Sequence, residues 1–154
     1  MSKAFVSRYI FHDHIATAVA RLYSNEFKEV FLVPVGDCPQ YDLISKSGKY
    51  RVEVKFETTP ARTNCVAIEY WNTDLNQPSG ILSTEANLWL HIIPNGKEYE
   101  AYEYDVNTLR KLVIEEGEIK SNGRNSLCKI ISLDTFKQHA QRVFPFELDF
   151  FTNN

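Results

Sequence analysis

The clearest pattern of hydrophobic and polar positions lies between residues 50 and 57. Tyr50, Val52, Val54 and Phe56 alternate there with Arg51, Glu53, Lys55 and Glu57. A period of two over this stretch predicts a strand with one apolar face and one charged face. Upstream, Ile15, Val19, Leu22, Tyr23 and Phe27 recur at helical spacing and predict a helix over about Asp13 to Phe27. Val30–Pro34 reads as a short buried strand, Gly36–Pro39 as a loop and Tyr41–Ser45 as a second short strand. Lys46–Lys49, with Ser47 and Gly48 at its centre, is the turn that leads into the charged strand.

Further along, Cys65–Trp71 is rich in strand formers, and Pro78-Ser-Gly80 breaks the chain. Ser83–Ala86 is expected to open one short helical turn under a hydroxyl cap. Leu88–Ile93 and Glu98–Tyr104 flank a hairpin turn at Pro94-Asn-Gly-Lys97. Asp105 or Asn107 caps a helix carrying Val106, Leu109, Leu112 and Val113, and Gly117 ends it. Lys120–Ser126 reads as a polar loop, Leu127–Leu133 as a strand, and Asp134 as the cap of a helix running to about Val143. The order of elements predicts an α/β (α+β) chain: a central mixed β-sheet flanked by helices.

Composition adds bounds. With 154 residues, 44% hydrophobic and 24% charged, the chain suits one domain over residues 1–154 that buries a core without staples. Residues 144–154 form an apolar tail, expected to dock on that domain or on a partner subunit. No apolar run approaches the roughly 20 residues of a membrane span, and no signal-peptide pattern opens the chain, so a cytoplasmic protein with no membrane partner is expected. Cys38, Cys65 and Cys128 are odd in number and widely spaced, which argues against a disulfide framework or a Cys-rich zinc site. The formal net charge of −3 excludes a global basic field, although local patches can still bind phosphates.

Glu53, Lys55 and Glu57 project from one strand face. In a hairpin centred between Ser47 and Gly48, facing residues have numbers that total about 95, so Asp42 is expected opposite Glu53. Two neighbouring carboxylates repel unless a cation lies between them, and Mg²⁺ takes such oxygen ligands. Lys55, one step along, is placed to stabilise charge on an attacking hydroxide or a phosphorane-like species. This arrangement suits metal-assisted hydrolysis of a phosphodiester. Glycine-rich phosphate loops and a G-x-S-x-G elbow are absent.

The segment Pro34-Val-Gly-Asp-Cys-Pro-Gln-Tyr-Asp-Leu-Ile44, the turn, and Arg51-Val-Glu-Val-Lys-Phe56 together resemble the core of the PD-(D/E)XK nuclease superfamily, with its restriction-endonuclease-like fold. The style is that of its small Holliday-junction-resolvase-like and phage or cyanobacterial homing-type members. Ser79–Ala86 before Leu88-Trp-Leu is similar to a downstream segment of such nucleases. The resemblance spans about Asp13 to Ile93. It implies a Mg²⁺-dependent DNA endonuclease in which Mn²⁺ can substitute. Asp42, Glu53 and the Val54 carbonyl would hold metal, and Lys55 would assist the attacking water. It leaves open a site-specific homing or restriction endonuclease, an exonuclease, or a catalytically silent module that binds DNA or protein. Many relatives complete the metal site with a helix glutamate. Near Ala16, where it would align, this chain has no acid, and Asp13 or Glu26 are the substitutes to examine.

DNA is the expected partner, contacted through Lys46, Lys49, Arg51, Arg62 and Arg124, with Lys120 beside them. So short a chain is expected to work as a homodimer or higher symmetric oligomer, with the aromatic tail and Trp71 or Trp89 either at its interface or in the core. The remaining candidates favour plain roles. His12 and His14 are two apart on a helix and point in different directions. Glu69 reads as a partly exposed strand acid, and Ser83 and Thr84 as caps.

Overall fold

The structure is a computed structural model that describes residues 3–34 and 40–148, with side chains from residue 12 onward. The expected loop Gly36–Pro39, Cys38 and the last residues of the tail, from 149 on, lie outside the described residues. The elements in chain order are α1 (Lys3–Phe27), β1 (Phe31–Leu32), β2 (Leu43–Ser45), β3 (Arg51–Phe56), α2 (Pro60–Thr63), β4 (Cys65–Asn72) and β5 (Gln77–Pro78). A 3₁₀ turn at Gly80–Leu82 precedes β6 (Leu88–Asn95), β7 (Glu98–Asp105), α3 (Val106–Glu115), β8 (Glu118–Ser121), β9 (Ser126–Ser132), α4 (Leu133–His139) and β10 (Arg142–Phe146).

The strands form two sheets. The larger is mixed, with strand order β1-β2-β3-β6-β7-β10. Its β3–β6 pair is parallel and its other pairs are antiparallel. The expected α+β class with a central mixed sheet is therefore observed. A second sheet of order β5-β4-β9-β8 was not foreseen. Periodicity reveals strands but not which sheet each joins. β4 and β9 are far apart in sequence and pair over nearly their whole lengths, with one irregularity between Glu69 and Trp71.

Alternation along β3 and β6 divides the core in two. Val52 and Val54, with Leu88, Leu90 and Ile92, turn to one face and pack under α1 through Ile15, Ala16, Val19, Ala20 and Tyr23. The small side chains of Ala16 and Ala20 let the helix approach the sheet closely. The opposite face carries Trp89 and Ile93, which join Val66, Ile68 and Ile131 of the second sheet and Leu109, Leu112 and Phe136 of α3 and α4. The charged residues of β3 share this second face. They look toward a partly enclosed space between the sheets rather than open solvent.

Several boundaries differ from expectation. α1 begins at Lys3, because no Pro or Gly interrupts the residues before Asp13. The 3₁₀ turn falls at Gly80–Leu82, ahead of the expected Ser83–Ala86 turn. Glu118–Ser121 is a strand, so Lys120–Ser126 is the end of a hairpin, its turn held by Asn122 accepting from the Arg124 and Ser126 amides. Asp105 caps α3 by accepting from the amides of Asn107 (2.9 Å) and Thr108 (3.2 Å). Ser132, not Asp134, caps α4 through the Thr135 amide. That helix stops at His139, and Arg142–Phe146 pairs with β7 instead. Pro145 is tolerated there because β10 is the outer strand of its sheet.

A buried polar cluster ties α1 to this outer strand. Glu103 on β7 is 5% exposed and accepts from Tyr23 Oη at 2.6 Å, Gln141 Nε2 at 2.8 Å and Arg142 at 2.9 Å. Arg142 also grips both carboxylate oxygens of Glu26 on α1. Burial, and next the Glu103 charge, push the Tyr23 phenol far above its ordinary range, so it stays a hydrogen-bond donor. Arg142→Ala leaves Glu103 short of one charged partner, although water can reach the site. The substitution is expected to destabilise the fold by about 2 kcal/mol, seen as a lower urea midpoint at unchanged slope.

Gly80 marks a second constraint. Its φ is +52°, and a Cβ there would lie 2.2 Å from the Glu69 carbonyl oxygen. Gly80→Ala is therefore expected to cost about 2 kcal/mol or more, from left-handed strain and from backbone displacement. A thermal melt indistinguishable from wild type would contradict this close approach.

Candidate metal and phosphate site on strand β3

The β2–β3 pairing follows the expected register: Leu43 faces Val52 and Ile44 faces Arg51. Asp42 continues it, its amide donating to the Val52 carbonyl at 2.9 Å. Beyond that point β2 has no further residue to pair with β3. The Asp42 side chain takes over, and its Oδ2 accepts from the Val54 amide at 2.8 Å. The N–H and C=O of one residue in an extended strand turn to the same edge, so the Val54 carbonyl also turns toward Asp42.

Glu53 lies beside Asp42 with its side chain 13% exposed. Burial, opposed by the Lys55 charge and reinforced by that of Asp42, leaves its carboxyl above the ordinary range. Lys55 reaches back along the same face, with Nζ 2.9 Å from Glu53 Oε1. Burial would lower the Lys55 pKa, but Glu53, Asp42 and Glu69 together raise it, so the ammonium stays charged. The ammonium also lies 5.5 Å from the centre of the Trp89 ring. A cleft of about 260 Å³ opens next to Lys55, and Glu57, Glu69, Trp89 and His91 are among the residues lining it.

The structure thus brings Asp42, Glu53, Val54 and Lys55 together as the sequence predicted. Among the described residues, no α1 acid, Asp13 included, joins Asp42 and Glu53 in a group that could hold a metal. Ala16, at the expected position, is buried in the core under the sheet. Glu26 is held by Arg142. The α1 side chain placed against the acids is His12, whose Nε2 lies 3.8 Å from Asp42 Oδ1. Its reading as a plain exposed polar residue missed this contact, because helix periodicity does not reveal which exposed residue overlooks a strand end.

A hard divalent cation suits oxygen donors. Two carboxylates and a strand carbonyl supply them here, and the Glu53 carboxyl is raised chiefly by burial, with the Asp42 charge adding to it. Among the described residues no group of three His, Cys, Asp or Glu side chains is assembled for a metal. A cation here would therefore depend on Asp42, Glu53 and the Val54 carbonyl, with water and substrate completing its shell.

The proposed DNA-contacting residues are dispersed. Lys46 and Lys49 occupy the turn before β3, Arg62 lies on α2 after it, and Arg124 lies in the β8–β9 turn of the second sheet. Arg51 shares the Glu53 face, but its Nε donates to the Glu85 carbonyl at 2.8 Å and helps pin the segment before β6. Thr84 does the same by donating to the Gln40 carbonyl and accepting from the Ala86 amide. Glu69 is exposed, as expected of a strand acid.

Among solved structures, the chain is similar to a bacterial homing endonuclease, I-Ssp6803I, with 21% identity over 72% of this chain and 78% of that chain and a TM-score of 0.45. No family model matches the sequence. No curated protein matches it either.

Proposed function

We propose that this chain is a metal-dependent DNA endonuclease that hydrolyses phosphodiester bonds. The observation that carries the reading is the Asp42 carboxylate seated on the Val54 amide beside Glu53, with the Lys55 ammonium on the same face. Asp42, Glu53 and the Val54 carbonyl would hold Mg²⁺, with Mn²⁺ as a substitute. When bound, the ion would supply positive charge to a phosphate oxygen and acidify a water molecule.

The chain's own residues do the rest. The Val54 amide fixes Asp42 through Oδ2, leaving Oδ1, which faces His12 at 3.8 Å, as the oxygen offered to a cation. Lys55 is held charged, so it suits stabilising negative charge at the phosphate rather than removing a proton from water. Its link to Glu53 also supplies a counter-charge while two acids stand together. A nick in each strand of a duplex would call for two copies of this site, in keeping with a symmetric dimer or higher assembly.

One observation favours a second reading, a silent nuclease-fold binding module. No described acid on α1 accompanies Asp42, and His12 occupies that side instead. Metal binding separates the two readings. Mn²⁺ at about one hundred times its dissociation constant is expected to stabilise the wild type by about 2.7 kcal/mol. Asp42→Asn keeps an acceptor for the Val54 amide but loses the charge. It is expected to melt no lower than wild type without metal, yet to gain nothing from Mn²⁺. A silent module would show no metal-dependent shift in either protein.

Cleavage tests the activity directly. With Mg²⁺ or Mn²⁺, wild-type protein is expected to nick supercoiled plasmid or a synthetic four-way junction, and EDTA to stop it. Lys55→Ala is expected to lower the rate by about 100-fold or more while leaving Mn²⁺ stabilisation largely intact. Equal cleavage by Lys55→Ala and wild type would refute the role given to the ammonium.

A further inference from the structure

Behind Lys55, on the same face of the large sheet, stands a chain of buried polar side chains. In the parallel β3–β6 register Glu53 pairs with Trp89 and Lys55 with His91. Both Trp89 and His91 are 2% exposed. Trp89 Nε1 donates to His91 Nδ1 at 3.2 Å, and His91 Nε2 lies 2.8 Å from Glu57 Oε1. The Glu57 carboxylate in turn accepts from the Ala67 amide on β4. Phe136 closes the far side, with its ring edge-on to His91.

These contacts fix the imidazole. An indole nitrogen only donates, so Nδ1 carries no proton and Nε2 carries the one given to Glu57. Protonating Nδ1 would set two donors against each other in a buried place. The Trp89 ring is consequently held at its nitrogen, and its face meets the Lys55 ammonium. A charged side chain that is half exposed has many rotamers; an ion pair to Glu53 fixes one end, and an aromatic face limits the rest.

We propose that Trp89, His91 and Glu57 form a positioning relay that holds the Lys55 ammonium at the phosphate site and ties that site to the second sheet. The relay rests on the nuclease reading for its catalytic consequence, but not for its geometry. Trp89 and His91 are positioning residues, acting through Lys55.

The test reads geometry and activity separately. In full-length protein, the Lys55 ε-methylene resonance is identified by its loss in Lys55→Ala. The indole face is expected to move that resonance upfield of an ordinary lysine. Trp89→Leu removes the face and is expected to return the resonance to the ordinary position. Trp89→Phe keeps a ring and is expected to retain part of the shift. His91→Phe removes the acceptor and is expected to reduce the shift, whereas His91→Asn, which can still accept from Trp89, is expected to restore much of it. In plasmid cleavage, Trp89→Leu and His91→Phe are expected to lose roughly 10- to 100-fold in kcat with little change in KM, the range usual for residues that orient a functional group.

If the Lys55 resonance is unshifted in wild type, or does not respond to Trp89→Leu in a protein that remains folded by circular dichroism, the relay is wrong whatever the cleavage result. If the resonance responds as described while wild type cuts no DNA, the relay stands and the nuclease reading fails. A full response in the resonance with kcat unchanged in both variants would overturn the catalytic consequence.

Discussion

The candidate site exists because β2 ends early. Strand β3 is paired along one edge with β6 for five consecutive residues, Val52 to Phe56. Along its other edge β2 supplies partners for Arg51 and Val52, and the Asp42 amide adds one more bond. The next backbone donor, the Val54 amide, would be left without a strand partner. A buried unpaired amide is costly, and the Asp42 carboxylate relieves it with a charge-assisted hydrogen bond. The same act fixes a negative charge beside Glu53 and turns a strand carbonyl to the same edge. Stability and chemistry thus share one contact.

The surrounding fold serves that strand. Its even-numbered residues anchor it beneath α1, and its odd-numbered residues look toward the second sheet. A carboxyl buried beside a second acid is unfavourable when charged: burial, reinforced by Asp42, raises the Glu53 carboxyl, and Lys55 offsets part of this. Lys55 is steadied by Trp89, which is linked to His91, Glu57 and the backbone of β4. The polar layer therefore runs from the edge of one sheet to the other, and both sheets contribute to the site.

Much of this was legible in sequence because its signals are local. The alternation from Tyr50 to Glu57 identified β3, and the Ser47-Gly48 turn set a register that places Asp42 beside Glu53. Hairpins transmit local turn chemistry into pairing, so the arithmetic works. Non-local facts were not legible. Nothing in Cys65–Trp71 or Leu127–Leu133 says that they pair in a separate sheet. Trp89 and His91 alternate with leucines and isoleucine in a buried strand, and sequence gives no sign of the bond between them. Local pattern divides Arg142–Phe146 between a helix and a tail, because its partner, β7, lies about 40 residues earlier in the chain. The contact of His12 with Asp42 is non-local in the same way: it depends on a strand end reached only after the chain has folded.

The edge of β3 at Asp42, Glu53 and Val54 is proposed to receive a divalent cation. Substoichiometric Mn²⁺ added to ¹⁵N-labelled protein tests it most directly, since the ion broadens amide signals in order of proximity. The Glu53, Val54 and Lys55 amides are expected to broaden first, and magnesium in excess to restore them. Broadening that starts elsewhere, or that leaves these three amides sharp while others fade, would contradict it.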